Sequence, residues 1–236
     1  MGRMGSTMKL CTAAAVAAFL ALTAGQATAV NLTDTNTDLT IGHPTSSAVT
    51  NWNFNGDLQI SSIMYYVNLG AGNIEVASIA FSNAGGNAAG TNIHTSFYDY
   101  VADPFLQVDF LYALNGGVDQ ATLDVTATIR YLEDFAGPIQ FIQEVTTSLN
   151  GAPAGDNLAI NGLDVEGLDG LVQYLASGAN ASLNPVDPNY NPDVIVVNGN
   201  VFTFSWDLTL GLDQDQFTNV ISLKHNLQAR EAGAIP

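Results

Sequence analysis

Gln120-Ala121-Thr122-Leu123-Asp124-Val125-Thr126-Ala127-Thr128-Ile129-Arg130-Tyr131-Leu132 decides the fold class. Leu123, Val125, Ala127, Ile129 and Tyr131 alternate with Thr122, Asp124, Thr126, Thr128 and Arg130. A period of two puts the apolar set on one face and the polar set on the other, which is the pattern of a half-buried strand. The same reading fits Phe202, Phe204, Trp206, Leu208 and Leu210, and again Phe217, Asn219, Ile221, Leu223, His225 and Leu227. Further strands are predicted at 52–60, 62–69, 73–82, 92–99, 104–114, 138–149 and 193–198. Between them stand clusters that supply positive φ or pre-set turns, among them Asn115-Gly116-Gly117, Asn150-Gly151-Ala152-Pro153 and Asn198-Gly199-Asn200.

About ten short strands with closely spaced turns and no long amphipathic helix imply an all-β chain. The predicted architecture is a single jelly-roll-like β-sandwich over residues 30–236. Residues 151–192 are rich in Gly, Asn, Asp and Pro, and are expected to form a long loop excursion with one helical turn at Asp169–Ala176.

Residues 1–29 read as a cleavable signal peptide: Arg3 and Lys9, an apolar run from Leu10 to Ala24, then Ala27-Thr28-Ala29 before Val30. The run is too short for a comfortable membrane span. Cys11 is the only cysteine and stands in front of the apolar run, so disulfides, thiolate metal sites, a cysteine nucleophile and a lipid anchor are all excluded from the mature chain. Cleavage would leave Arg130, Lys224 and Arg230 against 22 Asp and Glu, a formal charge of −19. Such a chain repels phosphate backbones, so nucleic acid is excluded as a partner, and polysaccharide, other proteins and divalent cations are favoured.

In the segment 184–193, Asp187, Asn189, Asn191 and Asp193 alternate as a loop does when it aims several oxygens at one calcium ion. Pro192 stands where an EF-hand loop needs Gly, so the alternative is a proline-braced turn. His43, His94 and His225 are scattered without metal-ligand spacing, and no G-x-S-x-G elbow occurs. Glu75, Glu133 and Glu144 lie on or beside predicted strands and are the candidates for a pair of hydrolytic carboxylates. Tyr65-Tyr66, Phe97-Tyr98-Asp99-Tyr100 and Trp52 are candidates for a platform that stacks on sugar faces. Because strand neighbours point to opposite faces, only one member of each aromatic pair can enter the core.

The layout resembles exported bacterial proteins of the PEP-CTERM type, including choice-of-anchor sandwich domains. The residues that carry this are the signal peptide, Ile41–Ser47, Val76–Asn83 with Gly90-Thr91, and the Val197–Phe204 hairpin. That class carries a Pro-Glu-Pro sorting tail, which Ala234-Ile235-Pro236 does not show. The resemblance implies a secreted, cell-surface or biofilm-matrix role and supplies no catalytic residues. The expectation is therefore a non-enzymatic structural or adhesive protein that assembles with itself, other surface proteins or exopolysaccharide. The alternatives are a calcium-assisted glycan-binding module and a secreted hydrolase.

Overall fold

A computed structural model of the chain describes residues 29–42, 48–76, 85–88, 91–99, 106–131, 139–169, 173–184, 187–190, 192–208 and 218–229. The predicted signal peptide, apart from Ala29, lies outside them. The strands in chain order are β1 (Val30–Asp34), β2 (Thr37–Ile41), β3 (Val49–Phe54), β4 (Asp57–Asn68), β5 (Asn73–Glu75) and β6 (Gly85–Ala88). They continue with β7 (Ile93–Asp99), β8 (Leu106–Gly116), β9 (Gln120–Tyr131), β10 (Gln140–Thr147), β11 (Asn157–Asn161) and β12 (Asp164–Asp169). The last are β13 (Gln173–Asn184), β14 (Asp187–Tyr190), β15 (Val194–Asn198), β16 (Val201–Asp207) and β17 (Thr218–Ala229). Among the described residues the only helical piece is one 3-10 turn, Leu149–Gly151, and no helix is long and apolar enough to cross a membrane.

Two antiparallel sheets result. The first runs β1-β2-β3-β4-β10-β16-β15 with β5 paired to β4, and the second runs β11-β12-β13-β17-β9-β8-β7-β6 with β14 paired to β13. The all-β sandwich expected from the alternation is the observed architecture. Its inner layer is one continuous apolar cluster. Leu123, Val125, Ala127 and Ile129 are buried, as the opening stretch requires, while Thr122, Asp124, Thr126, Thr128 and Arg130 are not. Tyr65 and Phe141 of the first sheet pack on Phe110 of the second at ring-centroid distances of 4.6 and 6.4 Å. Trp206 then extends the belt at 6.2 Å from Phe141. Such pairs add roughly 0.5–1.5 kcal/mol each beyond the area they bury.

Two expectations need correction. The stretch 52–60 is not one strand: Asn55 and Gly56 adopt φ of 56° and 88°, and the chain reverses there between β3 and β4. Asn-Gly accepts positive φ at both central positions of a tight hairpin, and that local signal outweighs the apolar alternation around it.

The segment 151–192 is not a loop excursion either. It folds as the β11-β12-β13 meander plus β14, turning at Gly162 with φ 66°. Of the helical turn expected at Asp169–Ala176, Asp169 closes β12 and Gln173–Ala176 open β13, while 170–172 lie outside the described residues. Small and polar residues carry this meander, so apolar periodicity is weak there. All twelve residues of β13 nonetheless pair with β17 through the backbone ladder.

Candidate functional site

Strand parity decides what each aromatic neighbour does. Tyr65 and Tyr98 are wholly buried, Tyr66 lies on the outer side of the first sheet, and Phe97 stands 37% exposed on the outer side of the second. Trp52 is in the core, where its indole N–H donates to Thr37 Oγ1 at 2.8 Å. Tyr100 lies outside the described residues.

Phe97 belongs to a depression of about 630 Å³ on the outer face of β7, β8 and β9. The register builds it row by row. Phe97 of β7 faces Asp109 of β8, which faces Thr128 of β9. In the next row Thr95, Leu111 and Thr126 stand side by side, and on the other flank Asp99, Gln107 and Arg130 do so. Residues directly opposite in such pairs hold their Cβ atoms about 4.5–5.5 Å apart, and diagonal neighbours are within reach of long side chains. Arg130 uses that diagonal reach: its Nη2 lies 3.0 Å from Asp109 Oδ2. Leu111, 42% exposed, provides a second apolar surface beside Phe97.

Electrostatics in the depression centre on Asp109. Burial pushes its carboxyl upward, the Arg130 guanidinium pulls it down, and the nearby Asp99 carboxylate raises it again. The net shift is upward, so the guanidinium only partly offsets burial. The carboxyl has an aromatic ring and an aliphatic side chain on one side and threonine hydroxyls on the other. Sequence reading singles out Phe97 and Asp99 but misses Asp109, Leu111 and Arg130. Alternation places Arg130 only on a polar face, and pairing β8 with β9 is what brings it to Asp109.

The other candidates fall elsewhere. Glu75 and Glu144 both lie near Tyr66, whose phenol is raised by burial and then by these two negative charges. Glu75 is paired with Tyr66 across β4 and β5, and Glu144 sits on β10 opposite Met64. Glu133 and His43 lie outside the described residues. His94 is buried and stacks on Tyr112, while His225 is buried at the centre of the sandwich.

For the calcium pattern, Asp187 and Asn189 lie on β14 with side chains outside the described residues, and Asn191 is not described at all. Asp193 Oδ2 accepts a hydrogen bond from the Asp207 backbone N–H at 2.5 Å. β14 belongs to the second sheet, whereas Asp193 leads into β15 of the first. Among the described residues no group of three or more His, Cys, Asp or Glu could hold a metal ion.

No protein-family model matches the chain, and no curated protein sequence does. Among solved structures it is similar to a bacterial glucoamylase complexed with acarbose, at TM-score 0.53 and 10% identity, over 84% of this chain and 34% of that one. It is also similar to a putative kojibiose phosphorylase from the human microbiome, at TM-score 0.43 and 9% identity, over 85% of this chain and 24% of that one. The second likeness is too distant to argue from, and the first is one of fold. The chain spans about a third of the glucoamylase it resembles.

The likeness corrects the main expectation from sequence. A non-enzymatic structural or adhesive protein is the expectation from sequence, whereas the likeness in fold is to part of a bacterial glucoamylase. The expectation of a non-enzyme, which rested on finding no catalytic motif, falls with it. An active site can be assembled from residues distant in sequence, so a missing local motif does not exclude one.

Proposed function

We propose that this sandwich is a glycan-recognition unit of a carbohydrate-active protein, and that it binds sugar in the depression of the second sheet. One observation carries the reading. Phe97 presents an exposed ring beside the Asp109–Arg130 pair, on a face otherwise lined by threonines, Gln107 and Leu111. A sugar ring has apolar C–H faces and a polar hydroxyl edge. A site with an aromatic surface and a few convergent polar groups matches both. The fold likeness to a glucoamylase supports carbohydrate as the ligand class. The predicted signal peptide supports an extracellular setting, where polysaccharide is an abundant polymer.

Affinity electrophoresis through gels containing neutral or acidic polysaccharides tests the reading. Retardation by at least one polysaccharide, lost in Phe97→Ala, is the expected result. A wild-type chain that migrates unretarded through every gel contradicts it.

A further inference from the structure

Asp109 and Arg130 fix the charge that any ligand in the depression meets. Their side chains are 26% and 49% exposed, so the pair is reachable from solvent. The contact runs from one guanidinium nitrogen to one carboxylate oxygen at 3.0 Å. A guanidinium carries five N–H donors in a planar fork and a carboxylate offers two acceptor oxygens, so the pair retains donors and acceptors side by side. Two adjacent hydroxyls on a sugar have the complementary pattern. One donates its O–H to the Asp109 carboxylate, and its neighbour accepts an N–H from Arg130.

A ligand carboxylate or sulfate meets a different situation. It offers only acceptors, so it must compete with Asp109 for Arg130. Success would leave the partly buried Asp109 carboxylate beside Asp99 without its cation, although burial and Asp99 already push that carboxyl upward. Among the described residues the only other cation is Lys224, which lies 3.9 Å from Asp124. The formal charge of −17 on the whole chain adds a long-range repulsion to anions.

We infer that the depression selects uncharged sugars bearing adjacent hydroxyls over uronate- or sulfate-bearing ones, with the Asp109–Arg130 pair as the selecting element. The inference rests on the glycan-binding reading. It makes Asp109 more than a structural partner of Arg130, because its negative charge rejects the wrong ligand.

Calorimetric titration of the full chain with a neutral glucose oligomer and with an oligogalacturonate of the same length tests it. The wild type is expected to bind the neutral oligomer at least tenfold more tightly. Asp109→Asn frees the guanidinium and is expected to narrow that gap by tightening uronate binding. Arg130→Gln is expected to weaken the neutral sugar without improving the uronate. Thermal melts of each variant establish that it is folded. Equal or tighter uronate binding by the wild type overturns the selection while leaving glycan binding intact, and so does an unchanged preference in folded Asp109→Asn. Failure of the wild type to bind either oligomer also overturns the selection, and unretarded migration through every polysaccharide gel overturns both.

Discussion

Gln143 Nε2 lies 3.2 Å from His225 Nε2 across the middle of the sandwich, and both side chains are wholly buried. Gln143 stands on β10 of the first sheet and His225 on β17 of the second, so the contact joins the two layers. With the Gln143 amide nitrogen facing the ring, the N–H donates and His225 Nε2 accepts in the neutral tautomer that carries its proton on Nδ1. The same amide nitrogen lies 3.4 Å from the Tyr65 hydroxyl, giving the apolar interior a short polar seam.

Burial pushes His225 down from its ordinary value of 6.5 to about 4. The unfolded chain therefore takes up this proton first as the pH falls, and the folded state loses ground between about 6.5 and 4. Above that window the residue contributes no pH dependence. The stability lost through His225 across the window is on the order of 3 kcal/mol, because a tenfold change in proton affinity is worth about 1.36 kcal/mol. Urea unfolding of wild type and His225→Gln at several pH values is expected to show a shallower acid slope in the variant over this window. Parallel slopes would mean that His225 is not buried neutral.

Gly116 is held against β1. Its backbone N–H donates to Asp34 Oδ2 at 2.9 Å, and an added Cβ would overlap the Asp34 carbonyl oxygen. Backbone cannot move aside as a flexible side chain can. Gly116→Ala is expected to cost about 1–3 kcal/mol, the range for forced overpacking, read as a lower urea midpoint at unchanged m-value.

Phe97 and Tyr98 are consecutive residues with opposite surroundings. Phe97→Ala is expected to cost about 1–2 kcal/mol, because 37% exposure leaves more than half of the ring covered. Tyr98→Ala is expected to cost roughly 3–5 kcal/mol through the cavity it leaves. Sugar affinity should respond to Phe97, falling by about 5–30-fold if the ring contributes roughly 1–2 kcal/mol of apolar contact. Paired melting and binding measurements on the two variants check the contrast.

The signal-peptide reading predicts cleavage before Val30, the first residue of β1, which pairs with Ile41. Intact-mass measurement of secreted protein reads this directly. A chain retaining residues 10–29 would contradict export by this signal.

Alternation of apolar and polar residues was enough to place the central strands. In β8, β9 and β16 one face is core and the other solvent, so each side chain's fate follows from parity. The same rule foretold that Tyr65 and Tyr66, or Phe97 and Tyr98, would part company. What parity cannot supply is lateral order. Asp109 and Arg130 are 21 residues apart in sequence and meet only because the β8–β9 hairpin sets Gln107 opposite Arg130. The β11–β13 meander was hidden for another reason. Its ladder is made by backbone groups, which every sequence possesses, while the Ala, Ser, Gly and Asn that fill the middle of β13 leave no apolar stripe to read.

The measurement that bears most directly on the site is a titration of isotopically labelled protein with the neutral glucose oligomer, followed by amide NMR shifts. Sugar binding in the depression predicts saturable shifts that cluster on Thr95, Phe97, Asp109, Leu111, Thr126 and Thr128, with the amides around Tyr66 and Glu144 of the opposite outer face unmoved. Shifts confined to that opposite face, or no shift at millimolar sugar, would contradict it.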